Sequence, residues 1–291
     1  MVSGKQRRFR LPVYVEPTEG PLGSPELYEK YPLILNAGAR LQSEEDAWNL
    51  ELPDVKTAGM VPLVMEFAKL QERHGYPIAF SSGSILKVFQ NLSGIERMCR
   101  WMMKKPEVTH RLCRRVADFD IAIAHYWADT FDCRERIIPL TAAPTESNQV
   151  ISPKLFRDFS LPYQKEVNEA VLGMGMKHIN THICGDHNLN LPYWTEIPMG
   201  DPGILSFGHE VDLETASEYF PDHIIVGNVD PAVIQTGRPE DVYEASRICI
   251  EKGKKYPGGF ALAPGCELPP LAPPYNVWMM RKAINDFGWH E

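Results

Sequence analysis

A histidine and a cysteine stand two positions apart where an apolar run of the sequence ends. The segment THICGDHNLN, residues 181–190, contains His182 and Cys184, and Gly185 follows them. Side chains at positions i and i+2 point to the same side of a β-strand, so both can contact one object at the end of that strand. Imidazole nitrogen and thiolate sulfur are ligands of zinc, and a catalytic zinc commonly has three protein ligands and one open position.

A third side chain of this kind lies far along the chain. Cys266 follows another strand-like run and, like Cys184, adjoins a glycine. The sequence has no Cys-x-x-Cys pair, which argues against a zinc finger, and ligands from two remote strand ends favour a catalytic site. The spacing alone leaves two interpretations open. Either His182, Cys184 and Cys266 bind a metal, or the histidine caps a strand and both cysteines pack against loops.

Strand-like and helical patterns alternate along the chain. Helical spacing of apolar residues occurs in residues 56–75, in the long segment from Pro106, after Pro153 and Pro239, and in residues 273–288. Strict alternation predicts a parallel sheet, either closed into a barrel or doubly wound. No G-x-G-x-x-G motif opens a helix, so the nucleotide-binding open sheet lacks its usual signature. The predicted strands are 31–38, 76–82, 136–143, 177–185, 203–208, 223–230 and 259–266.

Polar side chains gather at the predicted ends of five strands. In a (β/α)8 barrel, the chemistry takes place at the C-terminal ends of the strands. We therefore expect a TIM-type (β/α)8 barrel with a shortened or irregular N-terminal part, although loops after strands are polar in general. The residues concerned are Glu146 with Ser147 and Asn148, His182 and Cys184, His209 and Glu210, Asn228 and Asp230, and Cys266 and Glu267.

Composition and charge narrow the class of protein. The 291 residues carry 30 basic and 38 acidic side chains, a net charge of −8, which argues against nucleic acid as a general partner. No apolar run is long enough to span a membrane, and the N-terminus lacks the apolar region of a signal peptide. We expect a cytoplasmic protein with reduced thiols. Four further cysteines are predicted to be small buried hydrophobic residues: Cys99, Cys113, Cys133 and Cys249.

Three segments carry a resemblance to a known family. THICGD (181–186), VGNVDP (226–231) and LAPGCELPPLAPPYNVWMM (262–280) occur in an order that resembles the uroporphyrinogen decarboxylase superfamily. The resemblance is closer to its zinc-dependent branch, the corrinoid:thiol methyltransferases. Members of that branch have a His-x-Cys-Gly strand end and a distant Pro-Gly-Cys followed by a proline-rich turn and a last helix. The resemblance covers about residues 49 to 288, and Cys184 and Cys266 are 82 positions apart.

The resemblance implies a fold, a metal and an activity. It implies a TIM barrel, zinc on His182, Cys184 and Cys266, and methyl transfer between a corrinoid and an acceptor. The corrinoid is methylcobalamin or is carried by a partner protein, and the acceptor is a thiol such as coenzyme M, or a tetrahydrofolate-type compound. The possible fourth ligands or neighbours of the ligands are Glu210, His209 and Asp186. The residues expected at the substrate cavity are Glu146, Asn228 and Asp230; for the last two, a loop turn held by Asx hydrogen bonds is an equal alternative.

The sequence departs from the family pattern in two places. Relatives often have an acidic residue where this chain has Ala143, and Glu146 follows three positions later. The expected barrel covers residues 49–291, and residues 1–48 in front of it are atypical for the family. Residues 11–40 resemble a segment of molybdopterin oxidoreductases, but this sequence has no cluster of molybdopterin ligands. The run 31–38 is a candidate replacement strand. An incomplete barrel would expose an edge that a second subunit could cover, which makes a homo-oligomer possible.

Two alternative functions stay open on the sequence. A uroporphyrinogen decarboxylase-type reaction needs arginines and an aspartate around a porphyrinogen rather than a metal, and the arginine-bearing N-terminal motif of that branch is not recognisable here. A non-catalytic partner of a corrinoid protein is the other alternative. Bound zinc would distinguish the methyltransferase from both.

Overall fold

Among the residues that the structure describes, six β-strands form one parallel sheet. The computed structural model describes residues 41–81 and 83–289, so the predicted strand at 31–38 and most of the segment 1–48 lie outside the described residues. The strands pair as neighbours in chain order, which confirms the predicted parallel α/β arrangement and all six remaining strand predictions. They are β1 (Ile78–Ser81), β2 (Ile137–Ala142), β3 (Asn180–Ile183), β4 (Ile204–Phe207), β5 (Ile224–Val229) and β6 (Phe260–Pro264).

Helices fill the connections between these strands. Proline fixes the backbone angle that a first helical turn requires, and helices begin at Pro106, Pro153, Pro239 and Pro274, as predicted. The described helices are α1 (Glu44–Trp48), α2 (Val61–Arg73), α3 (Ile85–Ser93), α4 (Ile95–Lys104), α5 (Pro106–Thr130), α6 (Pro153–Phe159), α7 (Leu161–Gly173), α8 (Leu191–Trp194), α9 (Leu213–Tyr219), α10 (Pro231–Thr236), α11 (Pro239–Gly253) and α12 (Pro274–Phe287). None of these helices is both long and apolar enough to cross a bilayer.

The two faces of the sheet differ in burial. Alternate residues of a strand point to opposite faces, and in β3 Thr181 and Ile183 are buried while Asn180 and His182 are half-buried. The buried face packs against the helices, as where the rings of Phe80 and Trp127 lie 5.3 Å apart. The opposite face is half-buried and carries apolar side chains together with a few polar ones, among them His182, Ser206 and Asn228. The site is therefore built on this second face.

The two outer strands of the sheet are β1 and β6. Within the described part of the chain, each of them pairs with one neighbour. All residues of β6 are half-buried, in contrast to the alternating burial in β2 and β5. The end of β6 is consequently more open than the ends of the inner strands.

The four cysteines outside the candidate site divide into two pairs. Cys113 and Cys249 are buried, as predicted, whereas Cys99 and Cys133 are half-buried. Burial raises the pKa of the Cys113 and Cys249 thiols, since the thiolate loses its hydration in an apolar environment. These two side chains are accordingly protonated core residues.

Candidate metal centre

The three residues singled out by their spacing come together at the C-terminal end of the sheet. His182 lies in β3, Cys184 follows that strand directly, and Cys266 follows β6. The sulfur atoms of Cys184 and Cys266 are 3.6 Å apart. One potential ligand atom from each of the three residues lies within 4.8 Å of the other two. Two remote parts of the chain thus present an imidazole and two thiols to one point.

Glycines allow the loops that carry these residues to approach closely. Gly185 has a φ of +86°, a left-handed backbone angle that glycine adopts without strain. A Cβ atom at Gly208, after β4, would lie 2.7 Å from the Gly185 nitrogen, and one at Gly265 would lie 2.9 Å from the His209 nitrogen. Larger residues at these positions would separate the ends of β3, β4 and β6. Backbone contacts at glycine therefore bring the two cysteines together.

The imidazole of His182 is held by a hydroxyl from the next strand. His182 and Ser206 are register partners in β3 and β4, and Nδ1 of His182 lies 2.9 Å from Oγ of Ser206. The other ring nitrogen, Nε2, is buried and makes no hydrogen bond to any described residue. Sequence reasoning missed Ser206, because pairing across two strands leaves no mark on the spacing within either one.

The two thiols influence each other's ionisation. A hydrogen bond from Cys184, with a smaller contribution from the nearby His182 ring, lowers the pKa of Cys266 to about 4. The same contact with Cys266, together with burial, raises the pKa of Cys184 above its usual range. One proton is therefore shared by the pair, with the thiolate on Cys266 and the thiol on Cys184.

This donor set fits a zinc ion. Two Zn–S bonds of about 2.3 Å at a tetrahedral angle place their sulfurs about 3.8 Å apart, close to the observed sulfur separation. The buried and unpartnered Nε2 of His182 supplies the imidazole nitrogen that such a site uses. His182, Cys184 and Cys266 would hold the ion without a change of fold.

The three candidate additional ligands lie outside the 4.8 Å group. The carboxylate of Glu210 is 3.5 Å from Nδ1 of His209, and its charge contributes to the raised pKa of Cys184. Asp186 uses one carboxylate oxygen to accept hydrogen bonds from the backbone and side-chain nitrogens of Asn188, at 3.0 and 2.9 Å. Glu210 is thus electrostatically coupled to the thiol pair, whereas the Asp186 carboxylate is engaged within its own loop.

Asn228 and Asp230 make contacts within the loops around the site. The side-chain amide of Asn228 donates to the carbonyl oxygens of Gly208 and Val211, at 2.9 and 2.7 Å, and so holds the loop after β4. Asp230 accepts from the backbone N–H of Ala232 at 2.7 Å and caps α10. The Asx-type interpretation therefore describes Asp230, while their place at a substrate cavity stays a prediction.

Glu146 is a buried carboxyl at the start of the loop after β2. Its side chain is 0% exposed and accepts hydrogen bonds from the Ser84 hydroxyl and the Leu86 N–H, both at 2.9 Å. A carboxylate is favourable at a helix N-terminus, here that of α3. Burial nevertheless raises the pKa of Glu146 to about 7. These contacts give Glu146 a role in joining β2 to α3, and its expected place at the cavity stays a prediction.

His187 belongs to the protein core although it follows the His-x-Cys segment closely. It is fully buried, its Nε2 lies 3.1 Å from the Ala143 carbonyl oxygen, and the Trp194 indole N–H donates to its Nδ1 at 3.0 Å. Both ring nitrogens are therefore engaged, and burial lowers the pKa of His187 to about 4. A neutral His187 fixes the loop that follows Cys184.

Comparisons with known proteins show what the whole sequence is similar to. Residues 35–287 match the sequence model of a family described as uroporphyrinogen decarboxylase (URO-D). The chain is 29% identical over 235 residues to the methylcobamide:CoM methyltransferase MtbA of Methanosarcina acetivorans, covering 79% of this chain and 65% of the relative. It is 30% identical over 176 residues to MtbA of Methanosarcina mazei, covering 60% and 48% respectively. The chain thus spans less than two thirds of the length of either relative.

A solved structure supports the fold. A methyltransferase from Methanosarcina mazei superposes with a TM-score of 0.68 at 22% sequence identity, over 84% of this chain and 70% of that protein. The six-stranded parallel sheet with alternating helices accordingly has the TIM-barrel type of fold predicted from the sequence.

Proposed function

Because this chain belongs to the uroporphyrinogen decarboxylase family, we propose that it is a zinc-dependent methyltransferase acting between a corrinoid and a thiol. One observation carries the proposal: two sulfurs and an imidazole nitrogen lie within 4.8 Å of one another at the strand ends. The similarity to two methylcobamide:CoM methyltransferases supports the same reaction class. The relatives also make the chain an enzyme rather than a passive partner in this proposal.

The protein supplies the groups that hold and orient the metal. His182, Cys184 and Cys266 would hold it, and Glu210 is the foremost candidate for a fourth ligand because its charge acts on the thiol pair. Bound zinc supplies a Lewis acid that keeps a substrate thiol in its thiolate form at neutral pH. Asn228 holds the carbonyl groups of the neighbouring loop, so the position of Glu210 after β4 is defined.

The proposed transfer balances without a further reactant. The substrate thiol releases its proton to solvent, its sulfur forms a bond to the methyl carbon of methylcob(III)amide, and the cobalt–carbon bond breaks. The electron pair of that bond stays on cobalt, which leaves as cob(I)amide. The protein needs no general base for the attack itself, because the thiolate is already formed.

The reactants are assigned by class. The thiol acceptor enters the face of the sheet that carries His182, and the corrinoid is methylcobalamin or is presented by a corrinoid protein that covers the strand ends. A tetrahydrofolate-type acceptor is the second candidate on the acceptor side. The reduced thiols that this site requires favour a cytoplasmic location.

Decarboxylation of a porphyrinogen is the rival function within the same family. That reaction requires no metal and no thiol pair, so the Cys184–Cys266 contact would have no purpose in it. A non-catalytic corrinoid-binding role likewise requires no metal. Both rivals predict that loss of the cysteines leaves function unchanged.

Methyl transfer from methylcobalamin to a panel of thiols and to tetrahydrofolate tests the proposal. We expect demethylation, followed by the visible absorbance of the corrinoid, to require both zinc and a thiol. The Cys184→Ala, Cys266→Ala double variant should lose the metal and the activity, whereas Cys133→Ala, which changes a half-buried cysteine outside the site, should keep both. Zinc content is measured by elemental analysis of the same samples.

Two results would overturn the proposal. Full retention of zinc in the double variant would show that the metal binds elsewhere. Demethylation that continues without thiol, or after chelation, would remove the proposed role of the zinc site and leave the decarboxylase as the better candidate.

A further inference from the structure

Ser206 is the cross-strand neighbour of His182 that has a polar side chain. We call the register partners of His182 across β2, β4 and β5 its row. In the parallel register, His182 pairs with Ala142 of β2 on one side and with Ser206 of β4 on the other, and Ser206 pairs in turn with Val226 of β5. Side chains that are register partners point to the same face of a sheet. Ala142 and Val226 have no hydrogen-bonding group in their side chains. Within this row, the hydroxyl of Ser206 alone can orient the imidazole.

The contact defines which ring nitrogen faces the thiols. Nδ1 lies 2.9 Å from Oγ of Ser206, while Nε2 is buried and lacks a hydrogen-bond partner among the described residues. His182 belongs to the 4.8 Å ligand group, and Nε2 is its ring nitrogen without a partner. A neutral imidazole has one N–H and one lone pair. If Nδ1 donates its hydrogen to Oγ, the lone pair of Nε2 points at Cys184 and Cys266. The opposite tautomer would direct an N–H at them and prevent metal binding through Nε2.

We propose that Ser206 is a positioning residue that fixes the Nδ1–H tautomer and the ring orientation of His182, so that Nε2 is presented to a metal. The inference rests on the proposed function, because an effect on metal affinity requires the zinc site. The contact between Ser206 and His182 itself can be tested without metal. Partners that orient a metal-binding histidine in this way typically change metal affinity by 10- to 100-fold when they are removed.

Zinc affinity, measured by competition with a chromophoric chelator, is the first test. We expect Ser206→Ala to weaken zinc binding by about 10- to 100-fold. The zinc affinity of Ser206→Thr, which keeps a hydroxyl at this position, should stay within about threefold of that of the original protein. Ser93→Ala is the matched control, because it removes a buried hydroxyl that bonds to Phe89 within α3. Unchanged affinity in Ser206→Ala would overturn the proposal. Equal losses in Ser206→Ala and Ser206→Thr would also overturn it, since packing rather than the hydroxyl would then matter.

Nitrogen NMR of the metal-free protein is the second test. In the metal-free Cys184→Ala, Cys266→Ala background, where no thiolate faces Nε2, labelled histidines at about pH 8 should give the Nδ1–H signature for His182, and the further change Ser206→Ala should shift it toward Nε2–H. The His182→Gln variant identifies the signal. An identical tautomer in both proteins would overturn the inference. If the tautomer shifts as expected but the original protein binds no zinc, the proposed function fails while the positioning role of Ser206 stands.

Discussion

The Sγ atoms of Cys184 and Cys266 lie 3.6 Å apart although 82 positions separate the two residues in the chain. The two residues are not close in the sequence, because one follows β3 and the other follows β6, an outer strand of the sheet in the described part of the chain. Their proximity therefore depends on the whole intervening parallel arrangement. It also allows the two thiols to react with each other, and this reaction can be measured without any substrate.

Oxidation of the metal-free protein should join these two cysteines before any others. A disulfide needs a sulfur separation of about 2.05 Å, so the sulfurs must move roughly 1.5 Å closer, while two protons and two electrons pass to an added oxidant such as diamide. Peptide mass spectrometry after diamide treatment measures the link, and zinc should suppress it. Preferential linkage of a different cysteine pair would contradict the described geometry. The Cys184→Ser variant is the control.

Adding a thiol substrate should add one sulfur to the metal. In the zinc-loaded protein, we expect X-ray absorption at the zinc edge to show two sulfur ligands, from Cys184 and Cys266, and three after the thiol has bound. An alcohol of the same shape, which lacks the sulfur, serves as the control. A constant sulfur count would place the substrate away from the metal.

Replacing Glu146 with glutamine should change how stability depends on pH. The pKa of Glu146 is raised from 4.5 to about 7, so below pH 4.5 the carboxyl is protonated in both the folded and unfolded chain. Between these values the unfolded chain releases the proton first, and the free energy of unfolding falls by about 3 kcal/mol as the pH rises. Glutamine does not ionise, although its oxygen can still accept from the Leu86 N–H.

Denaturant unfolding from about pH 4.5 to about pH 8 measures this difference. The original protein should lose stability relative to Glu146→Gln as the pH rises, and the gap should become constant above about pH 7. A gap that does not depend on pH would mean that the carboxyl ionises at its ordinary value.

Substituting Gly208 with alanine should push the loops after β3 and β4 apart. The added Cβ would lie 2.7 Å from the Gly185 nitrogen, a backbone atom that cannot move aside as a side chain does. We expect unfolding to become easier by about 1–3 kcal/mol and zinc binding to weaken. Gly173→Ala is the matched control, because a Cβ there meets no atom within 4 Å and alanine suits a helix. Unaltered zinc binding in Gly208→Ala would show that the loops are not coupled through this contact.

The sequence was sufficient for the features that depend on local pattern. The strands β1 to β6 and the helices that begin at Pro106, Pro153, Pro239 and Pro274 follow from apolar periodicity and from the fixed backbone angle of proline. The helices outside the segments with identified helical spacing were missed: α1, α3, α4, α8, α9 and α10.

The part of the site that could be predicted consists of residues whose type alone indicates a chemical role. Two cysteines and a histidine at strand ends indicate a metal, and they do lie together. Ser206 and Glu146 could not be assigned in this way, because their partners are set by strand register and by packing over long distances. Glu146 contacts Leu86, 60 positions earlier, and nothing in either local segment indicates that pairing.

The closeness of the two sulfurs also affects the unfolded chain. A covalent link between Cys184 and Cys266 would close a loop that contains α8, β4, α9, β5, α10, α11 and β6. Closing a loop of this length lowers the conformational entropy of the unfolded state by an amount equivalent to about 4–5 kcal/mol of stability in the chain-entropy model. The oxidised protein should therefore resist heat better than the reduced protein, yet it has no thiolate left to offer a metal. The same two sulfur atoms can therefore either form a stabilising link or hold a metal, but not both at once.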